Sequence, residues 1–210
     1  MQSLLELPYW PPVSWLAIAW HSDTLWLECC EHYQKGSYRN RCHIAGPNGL
    51  QRLSIPLEKG KHQQSPIRDV RISYSEPWQK QHWRSIAAAY GNAPFFEHLE
   101  DRLAGFYEKR YPFLFDFNLE ILHFILKWLD APPAPRQTTQ YFEQVQTPLT
   151  DWRNQITPKA ATLPDWFLPK AYSQVFLERH GFLPDLSALD LLFCCGKQSG
   201  LILQACFSPA

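Results

Sequence analysis

The chain carries no excess of charge: 20 Lys and Arg balance 20 Asp and Glu, and the pI is near 7.1. Sequence-independent binding of nucleic acid draws on a basic surplus, so a nucleic-acid partner is not expected. No stretch approaches the roughly 18 uninterrupted apolar residues of a membrane span. The most apolar run, LEILHFILKWL at 119–129, is broken by His123 and Lys127. The N-terminus, MQSLLELPYWPP, lacks the basic stretch, apolar run and small-residue cleavage site of a secretory leader. A cytoplasmic protein without a membrane span is therefore expected.

Several short motifs are also missing. There is no G-x-S-x-G, Walker loop, G-x-G-x-x-G or H-E-x-x-H, so those enzyme classes lose their simplest support. There is no C-x-x-C either. The six cysteines stand at 29, 30, 42, 194, 195 and 206, including the adjacent pairs Cys29-Cys30 and Cys194-Cys195. Adjacent cysteines rarely bridge each other, and reduced, buried thiols are expected. His32 beside Cys29 and Cys30 is the nearest approach to a zinc pattern, and no metal is expected.

What is present is aromatic and apolar. The apolar fraction is 45%, and nine Trp and nine Tyr exceed the needs of a simple core. Such side chains pair an apolar body with a polar tip and suit a wet pocket or an interface. Eighteen prolines argue for many turns and against one long helical bundle. A length of 210 residues fits one domain.

The pattern predicts an α/β fold: a mostly parallel sheet in the N-terminal half with a β-hairpin, and a helical C-terminal half packed on it. SLLEL at 3–7, a helix in VSWLAIAWHSD and a strand in TLWLEC at 24–29 form a βαβ unit. CHIAGPNGLQRLSIPL reads as a hairpin turning at Gly46-Pro47-Asn48-Gly49. KGKHQQSP at 59–66 reads as a loop and IRDVRISY at 67–74 as a strand. Ser75 and Pro77 then open a helix that Gly91 ends, and two more helical stretches follow, the second capped by Asn118. APPAPR at 131–136 is a stiff break. The segment 137–166 reads as loop with one strand at 141–145, and late helices are expected in PKAYSQVFLERHGF and DLSALDLLFCCG. The expected parts of the single domain over 1–210 are an α/β part at about 1–74, a helical part at 75–131, and a loop-rich then helical part at 132–210.

The densest cluster of cations is HYQKGSYRNRCHI at 32–44, with Lys35, Arg39, Arg41 and His43. As a strand it places Ser37, Arg39, Arg41 and His43 on one face, suited to phosphate or carboxylate through bidentate Arg bonds. As a helix it stacks Lys35 on Arg39. A plainer alternative is a solvated edge with Arg paired to Glu28 or Glu31. Trp78 and His82 share a helical face. A histidine among aromatics is either an acid/base group or a buried hydrogen-bonding residue. Ser187 and Asp190, in S-x-x-D, resemble a capping box.

Taken in order, HYQKGSYRNR, LSIPL, WQKQHWRSIAAAYGNAPFF, LFDFN and GFLPDLSALDLLFCCG resemble the WbqC-like protein family, and LELPYWPPVSWL resembles its opening Q-P-x-Y-L-P-W-x-G-Y-F. The resemblance runs from about residue 4 to 198. Tyr9 and Pro11 match the opening motif. Tyr33, Lys35, Ser37, Asn40 and Arg41 match Y-x-K-x-S-x-x-N-R, and Trp78, His82, Tyr90 and Pro94 match W-x-x-x-H…Y-x-x-x-P. Asp116 and Asn118 match D-x-N, while Pro184, Leu186, Ser187 and Asp190 match P-x-L-S-x-x-D. The chain departs at Glu6 for Gln, at Ser14 for Gly, at Cys194 for Asn, and at Cys29-Cys30-Glu31-His32 for Asp-Asp-Val-Gln.

The resemblance implies a bacterial protein of surface-polysaccharide, notably O-antigen, biosynthesis, with a glycine- or aminoacyl-transferase role suggested for members. The expected reaction is therefore transfer onto a nucleotide-linked or amino sugar, and the alternative is a non-enzymatic module that binds a sugar nucleotide or a partner enzyme. The expected partner is a small anionic ligand such as a nucleotide sugar; neither a cofactor nor an oligomeric state is indicated. His82 is the expected base, with Glu31 orienting it or sharing its proton. Lys35, Arg39 and Arg41 are expected on the anionic group, Tyr33 and Asn40 beside them, and Tyr9, Trp10 and Trp78 stacked on a sugar or base.

Overall fold

The computed structural model describes residues 1–58, 65–131, 134–160 and 162–208. The expected loop at 59–66, except for its last two residues, and Pro132-Pro133 of the expected break lie outside them.

The chain begins with the expected βαβ unit. Strands β1 (Gln2–Leu5) and β2 (Thr24–Leu27) pair in parallel, from Gln2 opposite Thr24 to Leu5 opposite Leu27. Helix α1 (Val13–Trp20) is the crossover that a parallel pair requires. It is apolar nearly all round, and Val13 to Ala19 are all buried. Pro12 at its start offers no side-chain cap. Asp185 replaces it from far along the chain: Oδ1 accepts from the Ser14 backbone N–H at 2.7 Å and Oδ2 from the Ser14 hydroxyl at 3.0 Å.

The cationic cluster is neither a continuous strand nor an α-helix. Tyr38–Asn40 forms one 3₁₀ turn, and extended backbone starts at Arg41. The turn sends Arg39 into the interior, whereas Arg41 and His43 lie on the half-buried face of β3 (Arg41–Gly46). The four side chains therefore do not share one strand face. β3 and β4 (Gly49–Ser54) form the expected hairpin, with Gly46 opposite Gly49. Gly49 adopts a φ of +99°, open to glycine at no steric cost.

IRDVRISY is not a strand. It makes a 3₁₀ turn at Ile67–Asp69, and only isolated bridges follow, Arg71 to Phe113 and Ile72 to Leu57. Its apolar residues Ile67, Val70 and Ile72 anchor separate points rather than one pleated face. Helices α2 (Trp78–Tyr90), α3 (Phe96–Glu108) and α4 (Leu114–Trp128) then bury stripes at helical spacing, such as Trp78, His82, Ile86 and Ala89 on α2. Each fully buried large apolar side chain contributes roughly 1.5–3 kcal/mol. Gly91 ends α2 as expected, but Ser75 does not cap it; the N-cap position is Pro77. Asn118 is not a cap either. It lies inside α4, and its amide donates to the carbonyls of Arg39 at 2.8 Å and Leu7 at 3.4 Å.

Two further strands complete the sheet from the C-terminal half. β5 (Arg136–Gln137) and β6 (Leu149–Asp151) flank the expected strand at 141–145, which does not form. The order is β5-β2-β1-β6, with every pair parallel. Of the late helix expected at 169–182, one turn forms, α5 (Leu177–His180). α6 (Ala188–Cys195) forms as expected, and α7 (Ser199–Ala205) adds a helix that was not. Ser187 takes the N-cap position of α6 without a capping bond, so S-x-x-D is not a capping box. Asp190 instead accepts from Tyr90 at 2.9 Å, Tyr172 at 2.7 Å and Gln174 at 2.9 Å. One connected core joins these elements, from Leu5 on β1 to Cys206 beyond α7. Among the described residues, no helix is long and apolar enough to cross a membrane.

Candidate functional site

Because all four strands of the sheet are parallel, their carboxyl ends open on one edge, where open α/β sheets bind ligands. Each strand delivers polar groups there. Glu6 follows β1, Glu28 follows β2, Thr138 follows β5, and Asp151 ends β6 just ahead of Arg153 and Asn154. Glu6, Glu28 and Glu31 are all buried.

These groups form two networks. In the first, Glu28 Oε2 accepts from Arg153 Nη1 at 2.8 Å, and Oε1 accepts from the Thr138 hydroxyl at 2.8 Å and the Cys30 backbone N–H at 2.9 Å. Arg153 also grips Asp151 through Nε at 2.9 Å and Nη2 at 2.7 Å. In the second, Arg39 donates from Nε and Nη2 to the two oxygens of Glu31, at 2.6 and 2.5 Å. Arg39 Nη2 also donates to Asn154 Oδ1 at 3.0 Å, while the Asn154 backbone N–H donates to Glu6 Oε2 at 3.0 Å. Arg39 Nη1 is buried and has no partner among the described residues.

The charges are held against a desolvation cost of several kcal/mol per ion. Burial pushes the Glu6 and Glu31 carboxyls above the usual range, against the pull of Arg39. Burial acts the same way on Asp151, but the Arg153 bonds overcome it and hold that carboxyl low. Glu6 and Glu31 are thus raised, the direction that acid/base work needs of a carboxyl.

His82 belongs to a different cluster. Its Nδ1 lies 3.0 Å from the Tyr9 hydroxyl, which lies 2.8 Å from the Tyr107 hydroxyl, and Trp10 Nε1 donates to Tyr107 at 3.0 Å. Burial pushes the imidazole down to about 4, against a backbone hydrogen bond to Ser54. It is therefore neutral near pH 7. With its N–H given to Ser54, every donor in the chain Trp10–Tyr107–Tyr9–His82 finds an acceptor. Trp78 packs edge-on to His82, with ring centroids 5.1 Å apart. Trp78 and Tyr107 also line a cleft of about 680 Å³ between α2 and α3, with Tyr74, Trp83, Lys80 and Arg110.

The structure thus brings Glu31 and Arg39 together, and separately Tyr9, Trp78 and His82. Among the described residues no hydrogen bond or ion pair joins Glu31 to His82. Lys35 is exposed, and Arg41 is half-buried with Nε lacking a partner among the described residues. Tyr33 is buried within the field of both Arg39 and Arg41. The Asn40 amide donates to the Ile55 carbonyl at 2.9 Å and ties the turn to the end of the hairpin. Asp116 is exposed in the first turn of α4, where a helix favours an acid. Arg153, Asn154 and Thr138 were not expected at the site. Glu6 and Glu28 carried a usable signal, since each directly follows an apolar strand run; Arg153 carried none.

Comparison with known proteins agrees with the resemblance. The model of the WbqC-like protein family matches residues 8–163, which includes Tyr9, the cationic cluster, His82 and Arg153 but stops short of Asp190. The chain is also 28% identical over 199 residues to "Uncharacterized protein Rv1507c" of Mycobacterium tuberculosis, covering 83% of this chain and 84% of that protein. No solved structure matches.

Proposed function

Since this chain belongs to the WbqC-like protein family, we propose that it binds a small anionic substrate at the carboxyl ends of its parallel strands and acts there as a transferase on a nucleotide-linked or amino sugar of a surface-polysaccharide precursor. One observation carries this reading: strand ends from both halves of the chain converge on buried Glu6, Glu28, Glu31, Arg39 and Arg153, and Arg39 Nη1 has no hydrogen-bond partner among the described residues. A fold does not need so much buried charge, because apolar side chains of similar volume stabilise a core as well or better. In this reading Arg39 Nη1 and Arg41 meet the phosphate or carboxylate, with Lys35 at the rim. Glu31 takes the proton of the attacking amine or hydroxyl, and Asn154 ties Arg39 to Glu6 behind it. His82 holds Tyr9 and, through it, Tyr107, and is a positioning residue rather than the base. Tyr33 and Asn40 shape the walls, while Tyr9 and Trp78 stay with His82 in the separate aromatic cluster.

The second reading, a module that binds a sugar nucleotide or a partner enzyme without turnover, draws on one observation. Arg39 and Arg153 already hold carboxylates, which suits binding by rearrangement as well as catalysis.

A thermal-shift screen with nucleotide sugars, nucleotides and amino acids tests the binding step, since a ligand that prefers the native state raises its stability. Arg41→Ala is expected to abolish the shift of the true ligand. A full shift in that variant would take Arg41 out of the site. Turnover assays on the hit then separate the two readings: product formation supports the transferase, and saturable binding without product supports the module.

A further inference from the structure

Consecutive residues in a strand point to opposite faces, but Cys29 and Cys30 do not. β2 has ended at Leu27, and both thiols turn to one acceptor: the Thr138 carbonyl lies 2.8 Å from Cys29 Sγ and 3.6 Å from Cys30 Sγ. Cys29 is buried and Cys30 half-buried. A cation sits on the inner sulfur, with Arg68 Nη2 3.1 Å from Cys29 Sγ. Arg68 is fixed there by a bond to the Gln137 side chain and by stacking over Phe115 at 5.0 Å. The Arg68 N–H and the Thr138 carbonyl together hold this sulfur in place. Among the described residues no group of three or more His, Cys, Asp or Glu gathers as a metal site, so the chemistry on offer is that of two thiols.

We propose that Cys29 and Cys30 are a covalent modification site, a reversible dithiol–disulfide couple oxidised by a peroxide beside Glu28 at the end of β2. The Cys29 sulfur attacks one oxygen of hydrogen peroxide. The O–O bond breaks to give the Cys29 sulfenic acid, and the departing hydroxide takes up the proton released by the thiol and leaves as water. Cys30 sulfur then attacks Cys29 sulfur, the S–O bond breaks, and a second water leaves with the Cys30 proton. The two sulfurs together lose two electrons to the peroxide. Closing a ring through adjacent residues strains the peptide between them. It draws the Cys30 N–H from Glu28 Oε1 and the Cys29 N–H from Thr138 Oγ1, now at 2.9 and 3.1 Å. Oxidation would therefore loosen Glu28.

The chain holds its own control. Cys194 and Cys195 are also adjacent and nearly buried, but they lie on α6, where successive side chains diverge around the helix. The test treats the full-length protein with hydrogen peroxide, removes the peroxide, unfolds the protein in urea, blocks free thiols with N-ethylmaleimide, digests it and maps the peptides by mass spectrometry. The peptide holding Cys29 and Cys30 is expected to lose two hydrogens, take up no maleimide, and recover both thiols with dithiothreitol, while Cys194 and Cys195 stay alkylated. In Cys30→Ser, oxidation is expected to stop at a Cys29 sulfenic acid that dimedone traps. Uptake of maleimide at both Cys29 and Cys30 after peroxide, or equal crosslinking of Cys194 and Cys195, overturns the proposal. Control over ligand binding rests on the function proposed above. It is read separately, as a fivefold or greater loss of affinity on oxidation; the crosslink does not depend on it.

Discussion

Arg39 meets Glu31 through two nitrogens, Nε at 2.6 Å and Nη2 at 2.5 Å, with its guanidinium wholly removed from water. The carboxylate reaches this position by following β2, and the guanidinium by the 3₁₀ turn after Ser37. The pair joins the first strand-end loop to the segment that opens the hairpin, and its remaining nitrogen has no partner among the described residues.

Removing one member of such a pair strands the other. Arg39→Ala is expected to cost about 3–5 kcal/mol, as broken buried pairs do. The double variant Glu31→Leu with Arg39→Met is expected to recover most of that loss, because apolar replacements relieve the desolvation cost. Urea unfolding of the single and double variants checks this; a double variant as unstable as Arg39→Ala contradicts it.

Glu28 depends more on Arg153 than on Thr138. Arg153→Ala leaves a buried carboxylate without its cation, whereas Thr138→Val removes one neutral donor, worth about 1–3 kcal/mol where a buried acceptor is left unmet. Denaturant midpoints should therefore fall further for Arg153→Ala. The reverse order would mean that Arg153 spends its charge on Asp151 alone.

His82 sets an acid limit on stability. Its folded value, about 4, lies below the usual 6.5, so the unfolded chain binds the proton more readily. The stabilisation is full above about pH 6.5 and is lost as pH falls toward 4. The loss attributable to His82 is about 3 kcal/mol. Melting curves between pH 7 and pH 4 should fall less steeply for His82→Gln than for the unmodified protein. Parallel slopes would contradict the burial argument.

Asp185 acts in the opposite direction. Burial raises its carboxyl to about 7, against the two bonds from Ser14. A raised folded value gives stability that is fully present below the unfolded value and lost as pH rises through about 7. Asp185→Asn keeps an acceptor for the start of α1 and should flatten the decline in melting temperature between pH 6 and 8. An unchanged decline would show that another group titrates there.

The elements that were legible had local causes. The βαβ unit showed as two apolar runs around a helical pattern, the hairpin as Gly-Pro-Asn-Gly, and α2 as a helical stripe between Pro77 and Gly91. β5 and β6 were not legible because they are two and three residues long and exist by pairing with β2 and β1. Without β6 nothing marked Arg153, although Glu28 and Asp151 both depend on it. Arg39 and Glu31 were named from sequence, but periodicity put Arg39 on a face with Arg41, and the 3₁₀ turn separates them. His82 was legible as a residue and not as a role, since its partners Tyr9 and Tyr107 lie 73 positions before it and 25 after it in the chain.

The central claim is that an anionic ligand binds at the strand ends through Arg39 and its neighbours. Titration calorimetry of the ligand found by thermal shift, against the unmodified protein and the folded Glu31→Leu, Arg39→Met double variant, tests it most directly. Saturable heat with the unmodified protein and at least a hundredfold loss of affinity in the double variant, about 2.7 kcal/mol, is the predicted result. Equal affinity for both proteins would move the ligand elsewhere and leave the Glu–Arg networks as structural pairs.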